Sequence, residues 1–248
     1  MKILALIGSL RYGNSLLACE YISRKLPLEV INVAEKKIEP CKACYSCIFG
    51  EDCKIDDDVN DIIEKIIEAD FILIASPVYW LDLTGKMKML LDRLFMAERY
   101  IKNGKKGAVI YFYAFQELRG WASNTYNILL RAMGIEPIAV IPINAALPGE
   151  VFTKENIKKL DMLIEAIKEG KRVVLENQCP VCLSEVIRFD LTCPICGSKF
   201  DGDMNLIEKG DRLTTKWFEE HYERLRKMKD LFLKRKNELK ALIKKYIG

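Results

Sequence analysis

The chain has 248 residues, half of them hydrophobic and 30% charged, with 39 Lys or Arg against 35 Asp or Glu for a net charge of +4. This composition excludes a disordered polyelectrolyte, and the length suits one full domain with an appendage. Nine cysteines, an odd number without an export signal, exclude a secreted disulfide scaffold, and no apolar run approaches the ~20 residues of a membrane span.

The first apolar run, Ile3–Ile7, reads as a β-strand. It stops at Gly8, too short for a signal-peptide core, so a soluble, cytoplasmic protein is expected. It leads into Gly8-Ser9-Leu10-Arg11-Tyr12-Gly13-Asn14-Ser15, and a helix is predicted from about Leu16, with Cys19 inside its apolar pattern as a small buried hydrophobe. A strand–loop–helix junction presents unpaired N–H groups and the positive end of a helix dipole. Ser9, Asn14 and Ser15 can add side-chain donors and Arg11 a fixed positive charge, while Gly8 and Gly13 allow tight turns and close approach of the backbone. The set suits a phosphate monoester. It lacks the lysine and spacing of a nucleoside-triphosphate loop and is not G-x-G-x-x-G. The plain alternative is an ordinary turn with a serine cap.

A second strand, Leu28–Val33, precedes Cys41-x2-Cys44-x2-Cys47-x5-Cys53. Three thiolates at intervals of three residues can wrap one cluster and a fourth can complete it, which favours a [4Fe–4S] centre over zinc. Gly50 adds flexibility, and Lys42 and Lys54 add positive charge beside an anionic cluster. A redox dithiol or simple packing is the competing reading. A helix over Asp58–Ala69 and a strand over Phe71–Ala75 lead to Ser76-Pro77-Val78-Tyr79-Trp80, in which Tyr79 and Trp80 can flank a flat ring. There follow a helix over Gly85–Arg99, a strand over Ala108–Tyr113, a helix over Trp121–Met133, a strand over Ile138–Ile143, and a helix over Lys154–Glu169 started by Thr153. Strand and helix in alternation, with near-continuous apolar strands, predict an α/β fold: a doubly wound, five-stranded parallel sheet covered on both faces.

Past Glu176 the pattern changes. Cys179-Pro-Val-Cys182 and Cys193-Pro-Ile-Cys196-Gly197 are two knuckles with ten residues between them, a strong sign of a four-cysteine metal ribbon. Structural zinc is preferred over a rubredoxin-like iron, because a closed, redox-inert site can fold so small a segment. From Met204 to Gly248 there are 13 Lys or Arg and 7 Asp or Glu, so the basic character sits in the tail. Phe218, Leu225, Phe232, Leu239 and Tyr246 recur every seven residues, which predicts a long amphipathic C-terminal helix with His221 packed on its apolar stripe. A nucleic-acid-binding reading of the tail is disfavoured, since the heptad explains the apolar positions and acids interrupt the charge. The expected division is 1–172, 173–203 and 204–248.

Together, Gly8-Ser-Leu-Arg-Tyr-Gly-Asn-Ser15, Ser76-Pro-Val-Tyr79 and Gly85-Lys-Met-Lys-Met-Leu-Leu-Asp-Arg93 resemble the flavodoxin-like, NADPH-dependent FMN reductases over roughly residues 1–170. The resemblance implies FMN, its phosphate on Ser9, Arg11, Asn14 and Ser15 and its isoalloxazine bordered by Pro77, Val78, Tyr79 and Trp80. Many members carry a Gly-rich loop after the fourth strand; here that place reads Ala114-Phe-Gln-Glu-Leu-Arg-Gly120. The compact cysteine motif resembles the iron–sulfur flavoprotein branch, which implies a [4Fe–4S] cluster on Cys41, Cys44, Cys47 and Cys53. It also implies a homodimer or homotetramer with the cluster near a flavin.

The expected function is electron transfer between a one-electron carrier such as ferredoxin and a two-electron acceptor, with cofactors rather than a protein acid, base or nucleophile carrying the chemistry. The alternatives are an NAD(P)H-dependent FMN or quinone reductase without a working cluster, a redox-sensing nucleic-acid-binding protein, and a flavin-free scaffold.

Overall fold

The computed structural model describes residues 1–94, 104–115, 119–185, 191–193, 196–212 and 214–220, and beyond them 222–223, 226–227, 230, 233–234 and 237. Five strands form one parallel sheet: β1 (Ile3–Ile7), β2 (Leu28–Asn32), β3 (Phe71–Pro77), β4 (Lys106–Tyr113) and β5 (Glu136–Asn144), in the spatial order β2-β1-β3-β4-β5. The order reverses between β1 and β3, which opens a crevice at the carboxyl ends of those strands. Five helices cover the sheet: α1 (Asn14–Ser23), α2 (Val59–Glu68), α3 (Gly85–Arg93), α4 (Ala122–Ala132) and α5 (Lys154–Glu169). This is the expected flavodoxin-like α/β fold.

Successive strand residues point to opposite faces, so the unbroken apolar runs feed two cores. Leu4, Leu6, Ile72, Ile74, Val109 and Tyr111 meet α2, α3 and α4 on one face. Ile3, Ala5, Ile7, Leu73, Ala75, Ile110 and Ile141 meet α1 and α5 on the other. Helix α5 spans the predicted residues, and the Thr153 hydroxyl accepts from the Asn156 N–H at 3.4 Å as its cap. Helix α1 begins two residues before the predicted start. The predicted continuation of α3 to Arg99 lies outside the described residues beyond 94.

Gly8 owes its identity to packing. A Cβ there would stand 2.2 Å from Ser76 Oγ and 2.6 Å from Met87 Cγ, so β1 can approach β3 and α3 only without a side chain. Gly13 has extended backbone at φ −141°, and a Cβ there would meet nothing nearer than the Arg11 carbonyl oxygen at 3.8 Å. The turn-forming role expected of Gly13 is therefore not required by its conformation.

After α5 the chain passes along β5, where the Val173 N–H donates to the Ile138 carbonyl at 2.8 Å, and enters the four-cysteine segment. A short antiparallel pair, β6 (Lys199–Phe200) and β7 (Leu206–Glu208), follows. Residues 215–220 are helical. Of the heptad only Phe218 is described; Leu225, Phe232, Leu239 and Tyr246, with His221, lie outside the described residues.

Candidate functional site

A hollow of about 210 Å³ opens at the carboxyl ends of β1, β3, β4 and β5. Ser9, Arg11, Gly13, Asn14 and Ser15 line one side, and Pro77, Val78 and Tyr79 another. Phe112, Ala114, Ala145, Ala146 and Pro148 complete the wall and were not expected from the sequence. Their signal was positional: they lie at or just beyond the carboxyl ends of the next two parallel strands, which face the same crevice.

At the α1 end the first-turn N–H groups of Asn14, Ser15 and Leu16 have no acceptor within the helix. They point their partial positive charge at the hollow. The Arg11 side chain is exposed and makes no ion pair among the described residues. The Asn14 side chain is committed elsewhere. Its Nδ2 donates to the carbonyls of Ala145 (3.1 Å) and Leu147 (2.9 Å), and its Oδ1 accepts from the N–H groups of Gly149 (3.0 Å) and Val151 (3.3 Å). Both amide hydrogens are used, so Asn14 is not the side-chain donor to an anion that its place in the loop suggested. It staples the loop after β5 to α1. Asn144 and Asn156 do related work: Asn144 Nδ2 donates to the Ala114 carbonyl at 3.0 Å, and Asn156 Nδ2 to the Asn144 and Glu150 carbonyls at 2.9 Å each.

Trp80 does not line this hollow. It is 99% exposed and borders an adjoining apolar space of about 360 Å³ with Val78, Leu81, Tyr113, Ala114 and Phe115. Tyr79 and Asp82 exchange two backbone hydrogen bonds, of 2.9 and 3.1 Å, around Trp80 (φ 51°) and Leu81 (φ 68°). Two positive-φ residues between paired neighbours form a tight I′-type turn that ordinarily takes Asn and Gly. Gly120 presses on it from outside: a Cβ there would stand 2.0 Å from the Leu81 carbonyl oxygen.

The cysteines form two unlike sites, and no disulfide joins them. Cys19 is buried, and burial pushes its thiol up to about 12, as packing rather than chemistry requires. Cys179, Cys182, Cys193 and Cys196 are buried with their sulfurs within 4.8 Å of one another. Cys179 to Cys196 is 3.7 Å and Cys182 to Cys193 is 3.4 Å. One ion bound at ~2.3 Å by four tetrahedral thiolates sets its sulfurs at roughly 3.8 Å, so this cage fits a single zinc or iron. Hydrogen bonding with Cys179 and Cys193 holds the Cys182 thiol below its ordinary value. The knuckles repeat one geometry. Leu183 N–H donates to the Cys179 carbonyl at 2.7 Å and Gly197 N–H to the Cys193 carbonyl at 3.0 Å; Cys179 and Cys193 N–H return to the Ser184 and Ser198 carbonyls at 2.8 and 2.7 Å.

Cys41 and Cys44 are exposed, whereas Cys47 and Cys53 are half-buried against the core that includes α2 and α3. Among the described residues these four are not gathered within single-ion distance. Four thiolates are the usual ligand set of a cubane, which holds its ligands at the corners of a body larger than one ion. Tyr45 (φ 64°) and Gly50 (φ 92°) bracket a short turn, Ser46–Phe49, that carries Cys47. Phe218 and Tyr222 pack on Ile48 of this turn. Of the basic residues of the tail, Arg226 donates to the Ile48 carbonyl at 3.0 Å and pairs with Glu223, as does Lys227. Lys54 pairs with Glu51 at 2.7 Å. A cation hydrogen-bonded to one of these sulfurs is one the sequence reading passed over. Arg93 Nη2 donates to Cys53 Sγ at 3.2 Å, across 40 residues.

Among the described residues no helix is long and apolar enough to cross a membrane. Residues 1–138 match the family model described as NADPH-dependent FMN reductase. An iron–sulfur flavoprotein of Archaeoglobus fulgidus is 31% identical over 177 residues, covering 68% of this chain and 80% of that one. One from Methanosarcina thermophila is 33% identical over 121 residues, covering 44% of this chain and 62% of that one. A solved structure described as a flavone reductase covers 100% of this chain and 98% of its own at 16% identity, with a TM-score of 0.74. That likeness is one of fold.

Proposed function

Because the chain belongs to the NADPH-dependent FMN reductase family and its iron–sulfur flavoprotein branch, and so is a flavin-dependent oxidoreductase, we propose that it links a one-electron carrier such as ferredoxin to a two-electron acceptor. The observation that carries this reading is the placement of α3. Its first residue, Gly85, comes six residues after Tyr79 in the wall of the hollow, and its last, Arg93, donates to Cys53 Sγ. Eight rises of ~1.5 Å across its nine residues set the two ends roughly 12 Å apart on one rigid rod.

In this reading FMN occupies the 210 Å³ hollow. The α1 N–H groups, Ser9, Ser15 and Arg11 take its phosphate, and Pro77, Val78 and Tyr79 border its ring. Cys41, Cys44, Cys47 and Cys53 hold a [4Fe–4S] cluster, and Cys179, Cys182, Cys193 and Cys196 hold a structural zinc. Flavin and cluster, when bound, supply paired and single-electron transfer respectively. The residues around them bind, orient and shield. A soluble cytoplasmic homodimer or homotetramer, with the parts 1–172, 173–203 and 204–248, completes the proposal. The test is composition: protein purified without oxygen should contain one FMN, about four irons, four sulfides and one zinc per chain. FMN with zinc and no sulfide overturns the relay.

A second reading, an NAD(P)H-dependent FMN or quinone reductase, is favoured by the 360 Å³ apolar space beside Val78 and Ala114, which adjoins the hollow. Rapid bleaching of bound flavin by NAD(P)H in iron-free protein would support it.

A further inference from the structure

Asp57 and Arg93 close the cysteine loop like a drawstring. The Arg93 side chain is 1% exposed and that of Asp57 0%. Arg93 Nη1 donates to Asp57 Oδ2 at 2.5 Å and to the Glu39 carbonyl at 2.8 Å; Nη2 donates to Asp57 Oδ1 at 3.2 Å and to Cys53 Sγ at 3.2 Å. Asp57 in turn accepts from the N–H groups of Glu39 (2.8 Å) and Val59 (3.2 Å). Lys37 and Asp58 add a second pair across the neck, with the Lys37 N–H on Asp58 Oδ2 at 2.7 Å and the Asp58 N–H on the Lys37 carbonyl at 3.0 Å. Asn60 Nδ2 holds the Cys53 carbonyl at 3.1 Å. The chain entering the loop and the chain leaving it are thus fastened to each other and to the end of α3.

Only a guanidinium can do this. Its fixed fork reaches a carboxylate on two atoms and still directs an N–H at a sulfur, whereas an ammonium is a point charge. The bond to Cys53 falls on a ligand of the site proposed above, so the inference rests on that reading. Adding an electron to a thiolate-bound cluster adds negative charge. A buried cation hydrogen-bonded to a ligand sulfur stabilises the reduced form more than the oxidised one, and hydrogen bonds to sulfur are among the features that set such potentials.

We propose that Arg93 is the positioning residue of the iron–sulfur loop: it fixes Cys53 as a ligand and raises the reduction potential of the cluster through its hydrogen bond to that sulfur. Asp57 orients the fork. Because Arg93 sits at the far end of α3 from the hollow, the flavin is outside its reach.

The test is a redox titration of the full chain, handled without oxygen, followed by visible absorption and by electron paramagnetic resonance. Three forms are compared: wild type, Arg93→Lys, and the neutral pair Asp57→Asn with Arg93→Gln, which leaves no unpaired buried charge if the lysine variant folds poorly. Both variants should titrate at a more negative potential. At a fixed ambient potential the ratio of reduced to oxidised cluster should fall about tenfold, equivalent to about 59 mV for one electron. FMN content and FMN potential should stay at wild-type values. Loss of iron and sulfide from a variant that keeps its FMN supports the same assignment. A full cluster at the wild-type potential in both variants overturns it and leaves the proposed function standing. A wild-type chain without sulfide overturns both.

Discussion

The carboxylate of Asp57 lies 2.5 Å from the guanidinium of Arg93 in a place where neither side chain reaches solvent. Removing one partner strands the other, which in buried pairs costs about 3–5 kcal/mol. Asp57→Ala should therefore lower stability by about that amount in urea unfolding, and Asp57→Asn by less. Hydrogen bonds from Arg93 and two backbone N–H groups outweigh burial and hold the Asp57 carboxyl below its ordinary value. A carboxyl lowered on folding stabilises the protein above its unfolded pKa, and that stability is lost as pH falls through the folded value. Wild-type stability should decline below about pH 4, and the decline should be shallower in Asp57→Asn.

Arg11 and Asn14 line the same hollow and should fail differently. Arg11→Ala removes a charge-assisted contact worth about 1.5–3 kcal/mol, so FMN affinity should fall roughly 10- to 100-fold while riboflavin, which has no phosphate, binds as before. Asn14→Ala cuts four hydrogen bonds that hold the loop after β5. It should weaken FMN and riboflavin alike. Fluorescence titration with both flavins separates the two; equal losses from Arg11→Ala would move the phosphate elsewhere.

Trp80 and Leu81 occupy a turn that suits Asn and Gly. The left-handed conformation costs a bulky residue roughly 1–2 kcal/mol. Replacing the pair by Asn-Gly should raise Tm by roughly 2–4 °C for each kcal/mol recovered. An unchanged or lower Tm would mean that the aromatic and aliphatic side chains stabilise the turn more than its backbone strains it.

The sheet was legible because both of its faces are covered, so five strands stand out as uninterrupted apolar runs, and α5 was legible to the residue because Thr153 marks its start. Asn14 and Arg93 were not. Their partners lie 131 and 40 residues away, and no local pattern reports such a distance. Asn14 was read as a donor to an anion, whereas its side chain bonds backbone here, since a side chain that can bind an anion can equally bind backbone. Trp80 was read as a wall of the hollow because it adjoins Tyr79; the tight turn carries it into the space alongside.

Cys193→Ser should release the ion from the buried four-sulfur cage, because that cage needs every thiolate. Among the described residues the cysteines and Phe200 form a cluster of their own, so metal loss should open 173–203 to proteolysis while FMN stays bound. Metal analysis beside limited proteolysis checks both; a variant that resists protease without its ion would show that contacts with the sheet suffice.

Leu183 and Gly197 hold matching places in the two knuckles, at φ 61° and 81°. Glycine takes that conformation freely and leucine does not, yet Leu183 is wholly buried in the same core as α3 and α4. Nearby, Asn127 of α4 donates to the Cys182 carbonyl and, at 2.8 Å, to Ser184 Oγ. The first knuckle is thus seated in the core beside α3 and α4, whereas the matching position of the second is a glycine, which takes the conformation without strain. The four-sulfur cage is therefore tied to the sheet through one knuckle, and a change in α4 at Asn127 reaches the sulfurs through the Cys182 carbonyl.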